Sequence, residues 1–157
     1  MWSNDSKENY PWMMSTNQGG TKEYANISDP LPHFRVASNE LSTPKVLVCP
    51  DDNGRRKVSD WSQFTNTSHL SYFVGLDADE TKPQTVLSGD RTISTNGTAA
   101  KGLVGLSASD TIGWAPGIHR GHGNISFGDG SAAQITSQAL NGLRPKDTNS
   151  VVRLVIP

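Results

Sequence analysis

The chain has 157 residues, a net charge of −1 and only 18% charged residues, without a basic stripe, which argues against a nucleic-acid partner. The single cysteine, Cys49, excludes an internal disulfide, and no apolar run approaches the roughly 18 residues of a membrane span. The length predicts one domain over residues 1–157. Abundant uncharged polar residues, with 15 Gly and 9 Pro, favour short strands and many turns over long helices.

Helical signals dominate the first third of the chain. A short helical stub is predicted before Pro11, because the residue that precedes a proline is biased away from helix. Asp29 can cap a helix that ends at Pro44 and whose Phe34, Ala37 and Leu41 share one face. Residues 45–49 then form an apolar run, which predicts a buried strand closed by a dense turn.

The middle of the chain predicts strands and loops. Residues 58–64 indicate a short helix, capped by Ser59, that buries Trp61 and Phe64. Strands are predicted at residues 71–76 and 85–87, separated by an acidic turn. The weakly patterned, Gly- and Ser-rich residues 92–118 predict a long loop with one short strand near residues 103–106.

Residues 119–130 consist of a histidine, nine further residues and then Asp129-Gly130. Residues 124–127 alternate polar and apolar side chains, which predicts a strand that continues past the Asp-Gly turn. Ala133, Ile135, Leu140 and Leu143 suit a helix of about three turns from Ser131, capped by Ser131 or Thr136. Residues 151–156 form a short apolar segment at the C-terminal end.

Residues 119–130 resemble the H-X9-DG signature of bacterial prepilin-like proteins, which are pseudopilin-type subunits of type II secretion or type IV pilus-like systems. Residues 1–12 resemble the segment that directly follows the pilin N-terminal helix. Residues 37–50 resemble the family's step from helix to strand that ends in Cys-Pro, and residues 71–76 and 153–157 resemble it as well. The family often has two adjacent glycines shortly after the histidine, whereas here Gly121 is followed by His122.

This resemblance implies a fold, a location and a function. The fold would be α+β, a small antiparallel sheet packed on the stub of the N-terminal helix and on short helices. The chain would be the soluble head of a non-catalytic structural subunit, lacking the leader and the hydrophobic helix. The full-length protein would be anchored to the inner membrane, with its head in the periplasm or at the cell surface. Its partners would be other pilin or pseudopilin subunits and the secretion or pilus machinery.

His119, Asp129 and Gly130 are predicted to have a structural role. In that role a histidine ring nitrogen binds a backbone carbonyl or Asp129 and holds the loop in place. A metal site needs at least three convergent ligands, which His119, His122 and a distant carboxylate do not specify. A metal-dependent hydrolase built on His119, His122 and Asp129 is therefore the weakest alternative.

Asp77, Asp79 and Glu80 offer hard oxygen ligands for calcium, but the EF-hand spacing is absent, so an exposed acidic turn is predicted. Some major pseudopilins bind calcium near their sheet, and the resemblance therefore keeps calcium as the one candidate cofactor. Asp51, Asp52 and Asp90 suggest the same idea more weakly.

Two further expectations complete the sequence analysis. Cys49 lies beside apolar residues without a recognisable cysteine–histidine signature, so a buried, unreactive thiol is expected. The alternative function is an extracellular carbohydrate- or surface-binding module, in which exposed aromatic side chains stack on sugars. The candidates for that role are Trp2, Trp12, Trp61 and Trp114.

Overall fold

The computed structural model describes residues 9–157. The predicted helical stub before Pro11 falls mostly on residues 1–8, outside the described residues. Within the described part, two antiparallel sheets combine with a few short helices and long loops, and the predicted α+β class is confirmed.

Within residues 9–157, nine strands build the two sheets. In chain order they are β1 (Tyr72–Gly75), β2 (Val86–Asp90), β3 (Ile93–Thr95), β4 (Thr98–Ala99), β5 (Gly102–Leu106), β6 (Ile112–Trp114), β7 (His122–Phe127), β8 (Ala132–Thr136) and β9 (Val152–Ile156). The larger sheet has the order β5-β9-β1-β2-β7-β8, and every neighbouring pair in it is antiparallel. The strand predictions near 71–76, 85–87, 103–106 and 124–127 correspond to β1, β2, β5 and β7.

The smaller sheet has the order β4-β3-β6 and lies within residues 92–118, where the sequence analysis predicts mostly loop. Its β3–β4 hairpin closes over Asn96-Gly97, both with positive φ (52° and 81°), and pairs Thr95 with Thr98. Asn-Gly is the preferred dipeptide for such a two-residue turn. The loop prediction is wrong here because strands of two or three residues are too short to show an alternating pattern.

The helices are shorter than the sequence predicts. Asp29 Oδ1 accepts the Leu31 N–H (3.0 Å), but α1 covers only Leu31–Arg35 and continues as a 3₁₀ turn that ends at Asn39. The second predicted helix is a 3₁₀ turn, Trp61–Gln63, capped by Asp60 rather than Ser59. Further 3₁₀ turns cover Pro11–Met13, Thr16–Gln18, Lys22–Tyr24, Pro44–Leu47, Thr67–His69 and His119–Gly121.

Two segments have a different secondary structure from the one predicted. Residues 45–49 form no strand, because Thr43 and Pro44 open a 3₁₀ turn and Val46 points to solvent with 56% exposure. The helix predicted from Ser131 is mostly β8, which pairs with β7 across the Asp-Gly turn. Only α2 (Ser137–Asn141) is helical there, and Thr136 caps it by accepting the Ala139 N–H (3.2 Å).

The larger sheet is covered on both faces. Phe73, Leu154 and Ile156 pack against the smaller sheet and α2. Val74 and Val155 alternate to the opposite face, where Tyr10 and Trp12 cover them. Within residues 9–157, no helix has the length and apolar character needed to cross a membrane.

Candidate functional site

Three side chains of different chemistry converge at one edge of the fold. The Cys49 Sγ lies 3.3 Å from His119 Nε2, and the same nitrogen lies 3.5 Å from Asp90 Oδ2. One ligand atom from each residue falls within 4.8 Å of the others, and this is the one such group of three found within residues 9–157. We call these three residues the Cys-Asp-His cluster.

Each member comes from a different segment. Cys49 follows the 3₁₀ turn Pro44–Leu47, and Asp90 is the last residue of β2. His119 opens the turn before β7, where His119, Arg120 and Gly121 all have positive φ (53°, 52° and 86°). A side chain in this left-handed region costs about 1–3 kcal/mol, so surrounding contacts must hold the turn in place.

The loop after Cys49 supplies those contacts. Asp51 Oδ2 accepts the backbone N–H of His119 (2.7 Å) and lies 3.4 Å from its ring Nδ1. The next residue, Asp52, is buried and binds both Nε and Nη2 of Arg91 at 2.7 and 2.9 Å. Burial alone would raise the pKa of Asp52, but hydrogen bonds from Arg91 and Ser71 outweigh it and hold that pKa below its ordinary value.

Asp90 is the most deeply buried member of the cluster. The Asp90 carboxylate is fully buried, and within residues 9–157 its only ion-pair contact is with His119. Its Oδ2 accepts the backbone N–H and the side-chain amide of Asn124 at 2.6 and 3.0 Å, whereas its Oδ1 has no hydrogen-bond donor among the described residues. A buried carboxylate oxygen without a donor is costly unless a cation or water binds it.

The Cys49 thiol stays protonated in this setting. Burial raises its pKa, and the nearby Asp90 carboxylate raises it further. A nucleophilic cysteine instead needs a lowered pKa and partial exposure, and Cys49 is only 5% exposed. Cys49 is thus the buried thiol that the sequence predicts. Sulfur, imidazole and carboxylate are also all ligand types that zinc accepts.

The predicted site residues of the H-X9-DG segment separate in space. His122 is exposed at the start of β7, and Asp129 lies beyond the other end, a strand of six residues away. Asp129 Oδ1 binds the Ser131 N–H and hydroxyl at 2.9 and 2.6 Å instead of the His119 ring. Gly130 has φ +80°, as the predicted Asp-Gly turn requires. His119, His122 and Asp129 are thus not brought together as a hydrolase site.

The acidic turn is already neutralised by the protein. Asp77 accepts the Arg153 backbone N–H (2.6 Å) and its side-chain Nε and Nη2 (3.0 and 2.6 Å). Asp79 binds the Thr81 N–H and hydroxyl and lies 3.1 Å from Lys82 Nζ. Calcium would have to displace these cationic partners, which argues against the acidic turn as a calcium site.

A separate apolar groove of about 530 Å³ lies on the face of the sheet that Tyr10 and Trp12 cover. His33, Phe34, Asp129 and Gly130 also line it, so the Asp-Gly turn faces this groove and not the Cys-Asp-His cluster.

Sequence reasoning names every member of the Cys-Asp-His cluster but does not join them. Cys49 and His119 are 70 residues apart, and Asp90 and Asn124 are 34 apart. A local signal for part of the arrangement exists in Cys49-Pro50-Asp51-Asp52, where ligand-type residues follow a turn directly.

Comparison with known proteins identifies no matching family model, no matching curated protein and no matching solved structure.

Proposed function

We propose that this chain is the head domain of a pseudopilin-like structural subunit of a type II secretion or type IV pilus-like assembly, with no catalytic role. In the full-length protein, a hydrophobic N-terminal helix anchors this head to the inner membrane and packs in the filament. The head then contacts neighbouring subunits in the periplasm or at the cell surface.

The observation that carries the proposal is how the N-terminal segment joins the sheet. Tyr10 and Trp12 stack with ring centroids 5.0 Å apart and pack on Val74 of β1 and Val155 of β9, two neighbouring strands of the larger sheet. The Tyr10 hydroxyl donates to the Gly128 carbonyl (2.9 Å), one residue before Asp129-Gly130. An N-terminal helix that precedes this segment would thereby be coupled to the sheet and to the H-X9-DG segment, as a subunit held through its N-terminal helix requires.

Three of the four tryptophans proposed for sugar stacking pack within the fold. Trp12 and Trp114 are buried, and the Trp114 Nε1–H is used within the fold by the Ile135 carbonyl (3.0 Å). Trp61 packs on Phe64 and donates its Nε1–H to the Leu41 carbonyl (3.2 Å). Trp2 lies outside the described residues. Among the described residues, no specific observation therefore favours sugar stacking.

The decisive experiment uses the natural gene product in its native cells. Mass spectrometry of the purified protein should find, before residue 1, an apolar segment of about 20 residues, the length that spans a bilayer. The protein should fractionate with membranes, resist alkaline extraction and crosslink to other pilin-like subunits. As a matched control, the same protein without the apolar segment should be soluble and should not crosslink. A natural product that begins at Met1 and remains in the soluble fraction would overturn the proposal.

A further inference from the structure

We propose that Cys49, Asp90 and His119 bind a zinc ion, a site that goes beyond the proposed assembly role. The set combines one thiolate, one imidazole and one carboxylate, and all three are established zinc donors. Because the donors come from three separate segments, the ion would connect the loop after the 3₁₀ turn Pro44–Leu47, the end of β2 and the turn before β7.

The distances between the donors fit tetrahedral coordination. Zinc bonds of about 2.3 Å to sulfur and about 2.0–2.1 Å to nitrogen place those two atoms roughly 3.6 Å apart at a tetrahedral angle. The observed separation of Cys49 Sγ and His119 Nε2 is 3.3 Å. The distance from His119 Nε2 to Asp90 Oδ2 is 3.5 Å, close to the tetrahedral separation of nitrogen and oxygen ligands. Two of the three donor separations therefore agree with tetrahedral coordination, and the third, between sulfur and carboxylate, is at most 4.8 Å.

The buried Asp90 carboxylate gives an independent indication of a cation. Its Oδ2 is held by the two Asn124 donors, and its Oδ1 lacks a donor among the described residues. The nearest guanidinium on the same strand end, Arg91, is committed to Asp52 at 2.7 Å. A cation bound to this carboxylate would offset the cost of burying it with so few donors.

The groups around the ligands match those that orient zinc ligands in proteins. Asp51 Oδ2 lies 3.4 Å from His119 Nδ1, so it can hold the imidazole with Nε2 directed at the ion. Asn124 fixes the carboxylate in the same way. His119 retains 22% side-chain exposure beside the largely exposed Asp51, which leaves an entry path and a fourth position for water.

Binding involves a defined exchange of bonds. The S–H bond of Cys49 breaks, a sulfur–zinc bond forms, and the thiol proton passes to the buffer. No electron is transferred. Because a sulfur–zinc bond replaces the S–H bond, proton release should be measurable when zinc binds.

The test uses the reduced, chelator-treated chain, titrated with zinc and with cobalt(II) as a spectroscopic probe. We expect one equivalent to bind, a thiolate-to-cobalt charge-transfer band to appear, zinc to protect Cys49 from alkylation and the melting temperature to rise. Cys49→Ser should abolish the band and weaken zinc binding by more than about 100-fold. Asp51→Asn, which alters the side chain that contacts His119 Nδ1, should weaken zinc binding by roughly 10-fold.

Matched controls come from the same segment. His122→Gln and Asp129→Asn alter ligand-type residues outside the cluster and should bind zinc as the parent chain does. If Cys49→Ser fails to fold, the cobalt band and the alkylation of the parent chain still decide the question. A parent chain without a charge-transfer band, zinc that leaves alkylation unchanged, or zinc binding lost in His122→Gln would each overturn the proposal.

Discussion

The turn at His119 and the turn at Asp129-Gly130 lie at opposite ends of β7, and both belong to one short sequence motif. Three residues of the His119 turn have positive φ, and two of them carry side chains. The turn is held by Asp51 and Cys49, which lie 68 and 70 positions earlier in the chain. The Asp-Gly turn is held locally, through Asp129 and Ser131, and its positive φ falls on a glycine.

One short motif thus combines a turn that its own sequence favours with a turn that depends on tertiary contacts. At Asp129-Gly130, the sequence itself favours the backbone conformation, and the distant residues Tyr10 and Thr85 bind only the neighbouring Gly128. At the His119 end, the conformation is unfavourable locally and depends on Cys49, Asp51 and Asp90. Tertiary contacts stabilise the His119 turn, and the same contacts bring together the Cys-Asp-His cluster.

The largest expected difference between the two ends comes from their aspartates. Asp90→Ala removes the acceptor of the Asn124 backbone and side-chain donors, and each unsatisfied donor costs roughly 1–3 kcal/mol. We expect a loss of about 4 kcal/mol in the free energy of unfolding. Asp129→Ala, which breaks exposed hydrogen bonds to Ser131 only, should cost less than about 1 kcal/mol. Urea unfolding in the presence of a chelator measures both, and equal losses would contradict the distinction.

Acid should destabilise the fold around the apolar groove, because His33 is buried there and its pKa is lowered. Burial lowers this pKa from 6.5 to about 4, against an opposing effect of Asp29. Neutral His33 therefore contributes stability that is fully present above pH 6.5 and is lost as the pH falls through about 4. The difference corresponds to about 3 kcal/mol.

The measurement is urea unfolding between pH 7 and pH 4 for the parent chain and for His33→Gln, which cannot be protonated. His33→Gln should lose less stability over this range, because all other titrating groups are shared. Identical pH profiles for the two proteins would show that His33 does not remain neutral in the fold.

Sequence reasoning succeeded where structure depends on local pattern. Alternation predicted β7, and the dipeptide Asp129-Gly130 predicted the turn with positive φ at the glycine. It failed for β8, because Ala133 and Ile135 fit a helical spacing as well as a strand, and pairing with β7 decided the outcome. The Asn96-Gly97 dipeptide also favours the β3–β4 hairpin, but this signal was missed when residues 92–118 were predicted to be mostly loop.

The candidate site lay beyond such reasoning for a physical reason. The distance between Cys49 and His119 depends on the path of the loop after Cys49 and on the β2–β7 pairing, neither of which a local pattern specifies. The ion pair of Asp52 with Arg91 likewise joins residues 39 positions apart. Residue types identified the candidates, whereas the tertiary fold selected which of them meet.

Two glycines at the His119 end separate packing from backbone conformation. A Cβ on Gly123 would lie 2.5 Å from ring atoms of the buried Trp114, whereas a Cβ on Gly121 would meet nothing within 4 Å. Gly123→Ala should therefore cost about 2 kcal/mol, the scale of overpacking a core. Gly121→Ala should cost about 1 kcal/mol from its φ of +86° alone. Thermal melts compare the two variants, and a larger loss for Gly121→Ala would show that Trp114 can move aside.

At Gly130, backbone conformation acts without packing. Its φ is +80° and a Cβ there would contact nothing within 4 Å, so any cost arises from the left-handed conformation itself. Gly130→Val should lower the free energy of unfolding by roughly 1 kcal/mol or more, because a β-branched side chain is penalised most at positive φ. Gly130→Asn should cost clearly less, since asparagine tolerates this region. If urea unfolding finds equal losses for Val and Asn, the turn does not impose this conformation, and the Asp-Gly end would need distant contacts as the His119 end does.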